Sequence, residues 1–197
     1  KACFENADLK RVHLRGASLV SANFKYANIA MGDFREADLT NANLWGCIGD
    51  RAWLNLSNLK GANLASALLR NANLSGTNLE NANVPNADLS DSNLREANLK
   101  KANLSHSVFE DTDLTGADLT DVNLVGANLT GAILTRVNLS GAIGIGTRKE
   151  EVQFAKELLE ILQAERGYLD MDDWHSDDCE TAHCIAGWAF PEIPMPG

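Results

Sequence analysis

Every fifth residue from Phe4 to Leu139 is Leu, Phe, Ile or Val, with the single exception of Gly49. Two residues ahead of each lies a second regular position, Ala2, Ala7, Val12, Ala17 and onward to Val137, which never holds anything larger than Val. The inward positions are thus spaced alternately by two and by three. An α-helix turns about 100° per residue, so a step of five would carry the apolar row around every face. A straight strand fails as well, because an odd step sends each successive Leu to the opposite face. The pattern is satisfied only if the chain bends after each short extended piece, so that the small residue and the Leu two later face one interior. Suitable bend residues are in place: Gly16, Gly46, Gly61, Gly76, Gly116, Gly126, Gly131 and Gly141 all fall two after a central position. Strict internal periodicity of this kind predicts a stacked solenoid.

Runs such as Ala37-Asp38-Leu39-Thr40-Asn41, Ala62-Asn63-Leu64 and Ala117-Asp118-Leu119-Thr120-Asp121 resemble the pentapeptide-repeat family, whose motif is A(D/N)LXX. The resemblance covers residues 2–143 and implies an all-β solenoid, a right-handed quadrilateral β-helix with four pentapeptides per coil. About seven coils follow, making a rod roughly 30–35 Å long at ~4.8 Å between neighbouring strands. At twenty residues per coil, one outward column reads Cys3, Asn23, Asn43, Asn63, Asn83, Asn103, Asn123. Six amides in register admit a hydrogen-bonded ladder, or Asn simply tolerates the backbone beside a corner. Both readings make the column structural.

After Gly144-Ile145-Gly146 the period of five stops, which divides the chain into a repeat domain, 1–143, and a C-terminal segment, 144–197. An open solenoid end exposes strand edges and core and needs a cover. Thr147-Arg148-Lys149-Glu150 has capping-box spacing, and Val152, Ala155, Leu158, Leu159 and Leu162 form one stripe at helical spacing. The expectation is a small α-helical cap on the last coil. The other end has no comparable cap and admits a homodimer, or closure by residues upstream. The chain begins without Met and partway into a repeat, which leaves upstream residues and any targeting signal open.

Charge is distributed unevenly. The net charge of −10 resides mostly in residues 145–197, with 4 Lys+Arg against 12 Asp+Glu, whereas residues 1–144 hold 13 against 15. A near-neutral rod lacks the clustered cations that nucleic-acid binding requires, and imitates a phosphate backbone poorly. No apolar run approaches the length of a membrane span. Four scattered cysteines, Cys3, Cys47, Cys179 and Cys184, do not make a secreted disulfide framework, which favours a reducing cytoplasm.

Two places carry candidate chemistry. Around Gly49 lie Trp45, Cys47, Ile48, Arg51 and Trp53, an aromatic stretch in a sequence otherwise rich in Asn, Asp, Thr and Lys. If register holds, Trp45 and Trp53 point outward and, with Arg51, are candidate contacts for a protein partner. Alternatively, a bulge turns Ile48 inward in place of Gly49. A simpler reading is that a neighbouring loop or the C-terminal segment packs over the stretch. The second place is Trp174 to Trp188, where His175, Cys179, His183 and Cys184 supply enough ligand types for a tetrahedral zinc site. Their spacing is unlike the usual paired-Cys motifs, and adjacent His183 and Cys184 are hard to aim at one ion, so a packed helix ending before Pro191 is preferred. The segment is similar to a Trp-His…Cys-x-Thr-x-His-Cys-x-Ala-Gly-Trp pattern found in bacterial and phage proteins of unassigned role.

No phosphate loop, nucleophile elbow or HExxH motif is present. The expected function is a non-enzymatic scaffold or interaction module with no cofactor and a protein partner. The family resemblance adds an alternative, a DNA mimic acting on a topoisomerase such as DNA gyrase. Metal- or Cys/His-dependent activity in the C-terminal segment is a third reading.

Overall fold

Parallel β-bridges join residues twenty apart along the chain, from Cys3↔Asn23, Asp8↔Asn28, His13↔Asp33 and Ser18↔Asp38 onward to Asn123↔Ile143. A bridge every five residues with an offset of twenty makes four sides per coil, so the chain is a four-sided β-solenoid. The computed structural model describes residues 1–144. The expected C-terminal helices and the His/Cys cluster lie outside the described residues.

Each coil repeats one set of backbone bonds. Phe24 donates its N–H to the Asn43 carbonyl at 2.7 Å, and Asn43 donates to the Ala22 carbonyl at 2.9 Å, so neighbouring coils are zipped in both directions. At the corners the N–H three residues after the central position returns to its carbonyl, as in Ala27 to Phe24 at 2.9 Å. The residue two after the centre takes a left-handed conformation, with Gly at Gly16, Gly61 and Gly116 and with Asn at Asn41, Asn71 and Asn81. Both residue types tolerate that region, Gly for want of a Cβ and Asn through its local polar contacts.

The core is a stack of Leu and Ala, supplemented by Phe24, Phe34 and Phe109, all fully buried. Phe4 stacks on Phe24 at 4.8 Å between centroids, and Phe24 meets Phe34 edge-on at 5.9 Å. Three hydroxyls at the small inward positions find carbonyls of the preceding coil: Thr77 donates to Leu54, Ser107 to Val84 and Thr112 to Leu89. Register holds through Gly49. Ile48 pairs outward with Leu68 and is 39% exposed, so the inward bulge is not adopted. The space left by the missing side chain is filled by Leu69 and Ile29, whose methyl carbons lie 2.7 and 3.4 Å from where a Cβ would stand.

The Asn column serves both expected purposes. Nδ2 of Asn43, Asn83, Asn103 and Asn123 donates to Oδ1 of the residue twenty earlier at 3.1–3.2 Å. The same Oδ1 atoms accept backbone N–H groups two residues on, as from Lys25 to Asn23 at 3.1 Å and Ala65 to Asn63 at 3.2 Å. A second ladder runs on another side through Asn58, Asn78 and Asn98. Among the described residues, no helix is long and apolar enough to cross a membrane.

Candidate functional site

Corner residues point farthest from the core, and their left-handed conformation disfavours any residue that carries a Cβ by roughly 1–2 kcal/mol. Large apolar residues at these corners are therefore not placed there by core packing. Three nevertheless occupy such corners: Tyr26 at φ 55°, Met31 at φ 57° and Leu56 at φ 62°. They are 48%, 43% and 61% exposed. All three lie within the stretch that also carries Trp45, Ile48 and Trp53, and together they form a belt around one part of the rod.

Glycines of the next coil make room for this arrangement. The Tyr26 ring lies over Gly46, where an added Cβ would stand 2.6 Å from it, and Leu56 lies over Gly76 in the same way at 2.8 Å. Trp45 is half-buried against Tyr26, with centroids 5.0 Å apart. The Lys25 ammonium sits 4.6 Å from the Trp45 centroid and 5.4 Å from that of Tyr26, a paired cation–π contact. Trp53, half exposed, is covered on another side by the Arg35 guanidinium at 4.9 Å. No ring contact joins Trp45 and Trp53 among the described residues; the two flank the side that presents Ile48 and Leu68. Arg51 stands at the corner between Ile48 and Trp53, exposed, one coil beyond Met31.

Arg35 is held by Asp33, whose carboxylate accepts Nε at 2.8 Å and a terminal N–H at 2.7 Å. Asp33 is 7% exposed. The guanidinium bonds outweigh the cost of burial and lower its pKa from 3.8 to about 2. The folded pKa lies below the unfolded one, so this carboxylate stabilises the fold above about pH 4, and the contribution is lost as pH falls towards 2. Asp33→Asn is expected to remove that dependence. Unfolding free energies from urea titrations at pH 5 and pH 2.5 should differ less in the variant than in the wild type, by on the order of 1 kcal/mol, discounted for the partly exposed Arg35. An identical acid loss in both proteins would show that the pair is not formed.

Of the residues singled out from sequence, Trp45, Arg51 and Trp53 thus fall in one belt. His175, Cys179, His183 and Cys184 lie outside the described residues; among the described residues, no group of three His, Cys, Asp or Glu side chains could hold a metal. Cys47 is fully buried, which pushes its thiol up to about 12 and leaves it inert. Tyr26, Met31, Leu56 and the Lys25 and Arg35 covers were not recognised from sequence. The available signal was an apolar residue two positions after a central one, where Gly or a polar residue otherwise stands.

A family model for pentapeptide repeats matches in eight copies, over residues 2–41, 33–76, 57–95, 72–111 and 112–143. The chain belongs to the pentapeptide-repeat family. Among solved structures it is similar to HetL, a pentapeptide repeat protein involved in heterocyst differentiation regulation from the cyanobacterium Nostoc sp. strain PCC 7120. That match has 30% identity over 74% of this chain and 76% of HetL, with a TM-score of 0.41. It is also similar to a trypsin-treated form of QnrB1, a plasmid-mediated fluoroquinolone resistance protein, at 20% identity over 81% of this chain and 83% of that one, with a TM-score of 0.58. A third likeness is to a pentapeptide repeat protein from the thylakoid lumen of Arabidopsis thaliana, at 22% identity over 76% and 74%, with a TM-score of 0.40. No curated protein sequence matches the chain. The QnrB1 likeness bears on the fold alone.

Proposed function

We propose that this pentapeptide-repeat protein is a non-enzymatic binding scaffold whose belt docks a protein partner. The observation that carries the reading is the presence of Tyr26, Met31 and Leu56 at exposed left-handed corners, where neither core packing nor backbone preference favours them. Local rules broken by apolar side chains that stay largely exposed point to a binding role. Aromatic residues with cationic covers are also the side chains that dominate binding energy at interfaces. In this reading residues 1–143 form a rod of about seven coils, and residues 144–197 supply its helical cap. A cytoplasmic location and the absence of a cofactor are part of the same proposal.

The test is capture of a partner from an extract of the source organism, followed by measured affinity for the captured protein. Trp53→Ala and Trp45→Ala are each expected to weaken binding about tenfold or more, as for a buried aromatic anchor. Ile133→Ala, which truncates another exposed apolar side chain far along the rod, should leave affinity unchanged. Loss with Ile133→Ala and not with Trp53→Ala would place the interface elsewhere.

A topoisomerase-directed DNA mimic is the second reading. Residues 76–144 hold 4 Lys+Arg against 9 Asp+Glu, which favours it locally; residues 1–75 hold 9 against 6, which opposes it. A DNA gyrase supercoiling assay separates the two. Metal- or thiol-dependent chemistry at His175, Cys179, His183 and Cys184 ranks third, because their spacing is unlike the usual paired-Cys motifs and neighbours in sequence are hard to aim at one ion from a helix.

A further inference from the structure

The side of the rod between Trp45 and Trp53 comprises residues 6–11, 26–31, 46–51, 66–71, 86–91 and 106–111 of six successive coils. Its charge is polarised along the rod. The first four coils present Lys10, Arg11, Arg51 and Arg70 against Asp8 and Asp50, whereas the last two present Asp88, Asp91, Glu110 and Asp111 and no Lys or Arg. At the centre Ile48 and Leu68 stand in neighbouring coils, paired by a β-bridge. Lys10, Arg11, Glu110 and Asp111, at the two ends, are exposed and enter no ion pair among the described residues. A surface that is cationic at one end, anionic at the other and apolar between them is complementary to itself turned end for end.

We propose that the protein forms an antiparallel homodimer through this side, about a two-fold axis lying across it between Ile48 and Leu68. Such an axis sets each column of one copy against the same column of the other, running in the opposite direction. Lys10 then meets Glu110, Arg11 meets Asp111, Asp50 meets Arg70, and Ile48 meets Leu68. The remaining charges face neutral residues: Asp8 faces Val108, Arg51 faces Asn71, Asp88 faces Asn28 and Asp91 faces Met31. At the Trp45 edge Lys25, which pairs with Glu5 in its own chain, lies opposite Pro85, and Glu5 lies opposite Ser105. At the other edge Asp33 lies opposite Asn93, and His13 opposite Asp113. No like charges are opposed on this side or at its edges. Arg70 keeps its in-chain Nε bond to Asp88 at 2.5 Å, and Asp50 Oδ1 keeps the Arg70 backbone N–H at 3.2 Å. The terminal nitrogens of Arg70 and Oδ2 of Asp50 are left for the pairing. Other alignments fit worse. A shift of one coil between the copies brings Arg70 against Arg70 in one direction and Asp50 against Asp50 in the other, and a parallel pairing puts both acidic ends together. The contact measures about 29 Å by 13 Å, six coils by four residues, a small interface suited to reversible pairing. A second copy is then the partner of the belt's Ile48 side, a reading that rests on the docking role proposed for the belt. Trp53 and Leu56 lie beyond the contact and stay open to a different protein. Residues 122–141 overhang it, so the end assigned to the cap is left clear.

Sedimentation equilibrium on the full chain tests this without any other protein, so a failure here leaves partner capture untouched and the two readings fall separately. The wild type is expected to show a monomer–dimer equilibrium that weakens as salt is raised. Lys10→Glu with Arg11→Glu should weaken it about tenfold or more, and Glu110→Lys with Asp111→Lys should do the same, because each double variant opposes like charges at both ends of the contact. Lys and Glu both occupy these two positions of the repeat elsewhere, as at Lys60, Glu80, Glu96 and Lys101, so the fold accommodates the changes. Mixing the two double variants should restore association to the wild-type level, since a mixed pair opposes unlike charges at both ends. Lys100→Glu with Lys101→Glu, on the far side of the rod, should leave the equilibrium unchanged. Three results would each overturn the proposal. One is a wild-type chain that stays monomeric at about 1 mM, where even a weak pair associates. The others are a dimer indifferent to both charge reversals, and impaired variants that do not recover on mixing.

Discussion

Leu79→Asp is expected to destabilise the rod by about 4 kcal/mol or more, whereas Glu80→Ala, one residue on, should cost under about 1 kcal/mol. Leu79 is 2% exposed, and the core around it includes Leu74, Val84, Leu89 and Leu99, with no polar atom lining the residual space. A carboxylate placed there is cut off from bulk water and has no charged partner in the Leu-rich core. It must take up a proton or force the coil open, and either response carries most of the desolvation penalty. Because each coil contacts only its neighbours, an opened coil also withdraws support from the coils above and below. Glu80 faces outward, paired with Lys60 at 2.8 Å on a surface where both side chains are substantially exposed, and such pairs contribute little. Urea unfolding followed by far-ultraviolet circular dichroism compares the two variants. Similar losses would mean that the inward and outward positions have been exchanged, and with them the register of the entire rod.

The same distinction explains how much could be read from the chain. The inward column and the corners follow from local rules, since a Leu every five residues and a Gly or Asn two later leave one way to bend. Gly16, Gly61 and Gly116 are left-handed for the reason their positions suggested. The Asn column became legible once twenty residues were taken as one coil, because its hydrogen bonds run between residues twenty apart. The belt required more than periodicity. Trp45 and Trp53 stood out as aromatic, but what covers them, Lys25 and Arg35, comes from residues twenty and eighteen earlier in the sequence. The Asp33–Arg35 pair that anchors one cover looks in sequence like any outward polar pair. Met31 and Leu56 look like ordinary hydrophobic residues until their corner conformation is known. Side-chain orientation, not pattern, makes them a site.

Gly49 marks the place where pattern and packing give opposite answers. The repeat calls for Leu at this position, so Gly49→Leu restores the consensus and would be expected from sequence to stabilise. The packing predicts the reverse, a loss of about 1–3 kcal/mol from overfilling. The backbone is not the obstacle, since Gly49 is absent from the left-handed corners and a side chain is compatible with its conformation. The obstacle is Leu69, whose Cδ2 stands 2.7 Å from where a Cβ would lie, with Ile29 Cγ1 at 3.3 Å. Those two side chains have already closed over the vacancy. Leu69→Ala alone should cost about 2–5 kcal/mol by opening a cavity. In the double variant the new Leu enters that cavity, so the combined loss should fall short of the sum by at least about 1 kcal/mol, the signature of two residues competing for one volume. Unfolding free energies of the wild type, both single variants and the double variant close the cycle. Strict additivity, or a gain from Gly49→Leu alone, would show that Leu69 and Ile29 do not fill the space. Ile48, the neighbour of Gly49, gives the result a functional edge. It is the outward residue between Trp45 and Trp53, and displacement of Leu69 would shift the side of the rod on which Ile48 and Leu68 are paired. Partner affinity measured on Gly49→Leu at a temperature where it stays folded should therefore fall along with stability, while a destabilising change far along the rod, such as Leu119→Ala, should leave affinity intact.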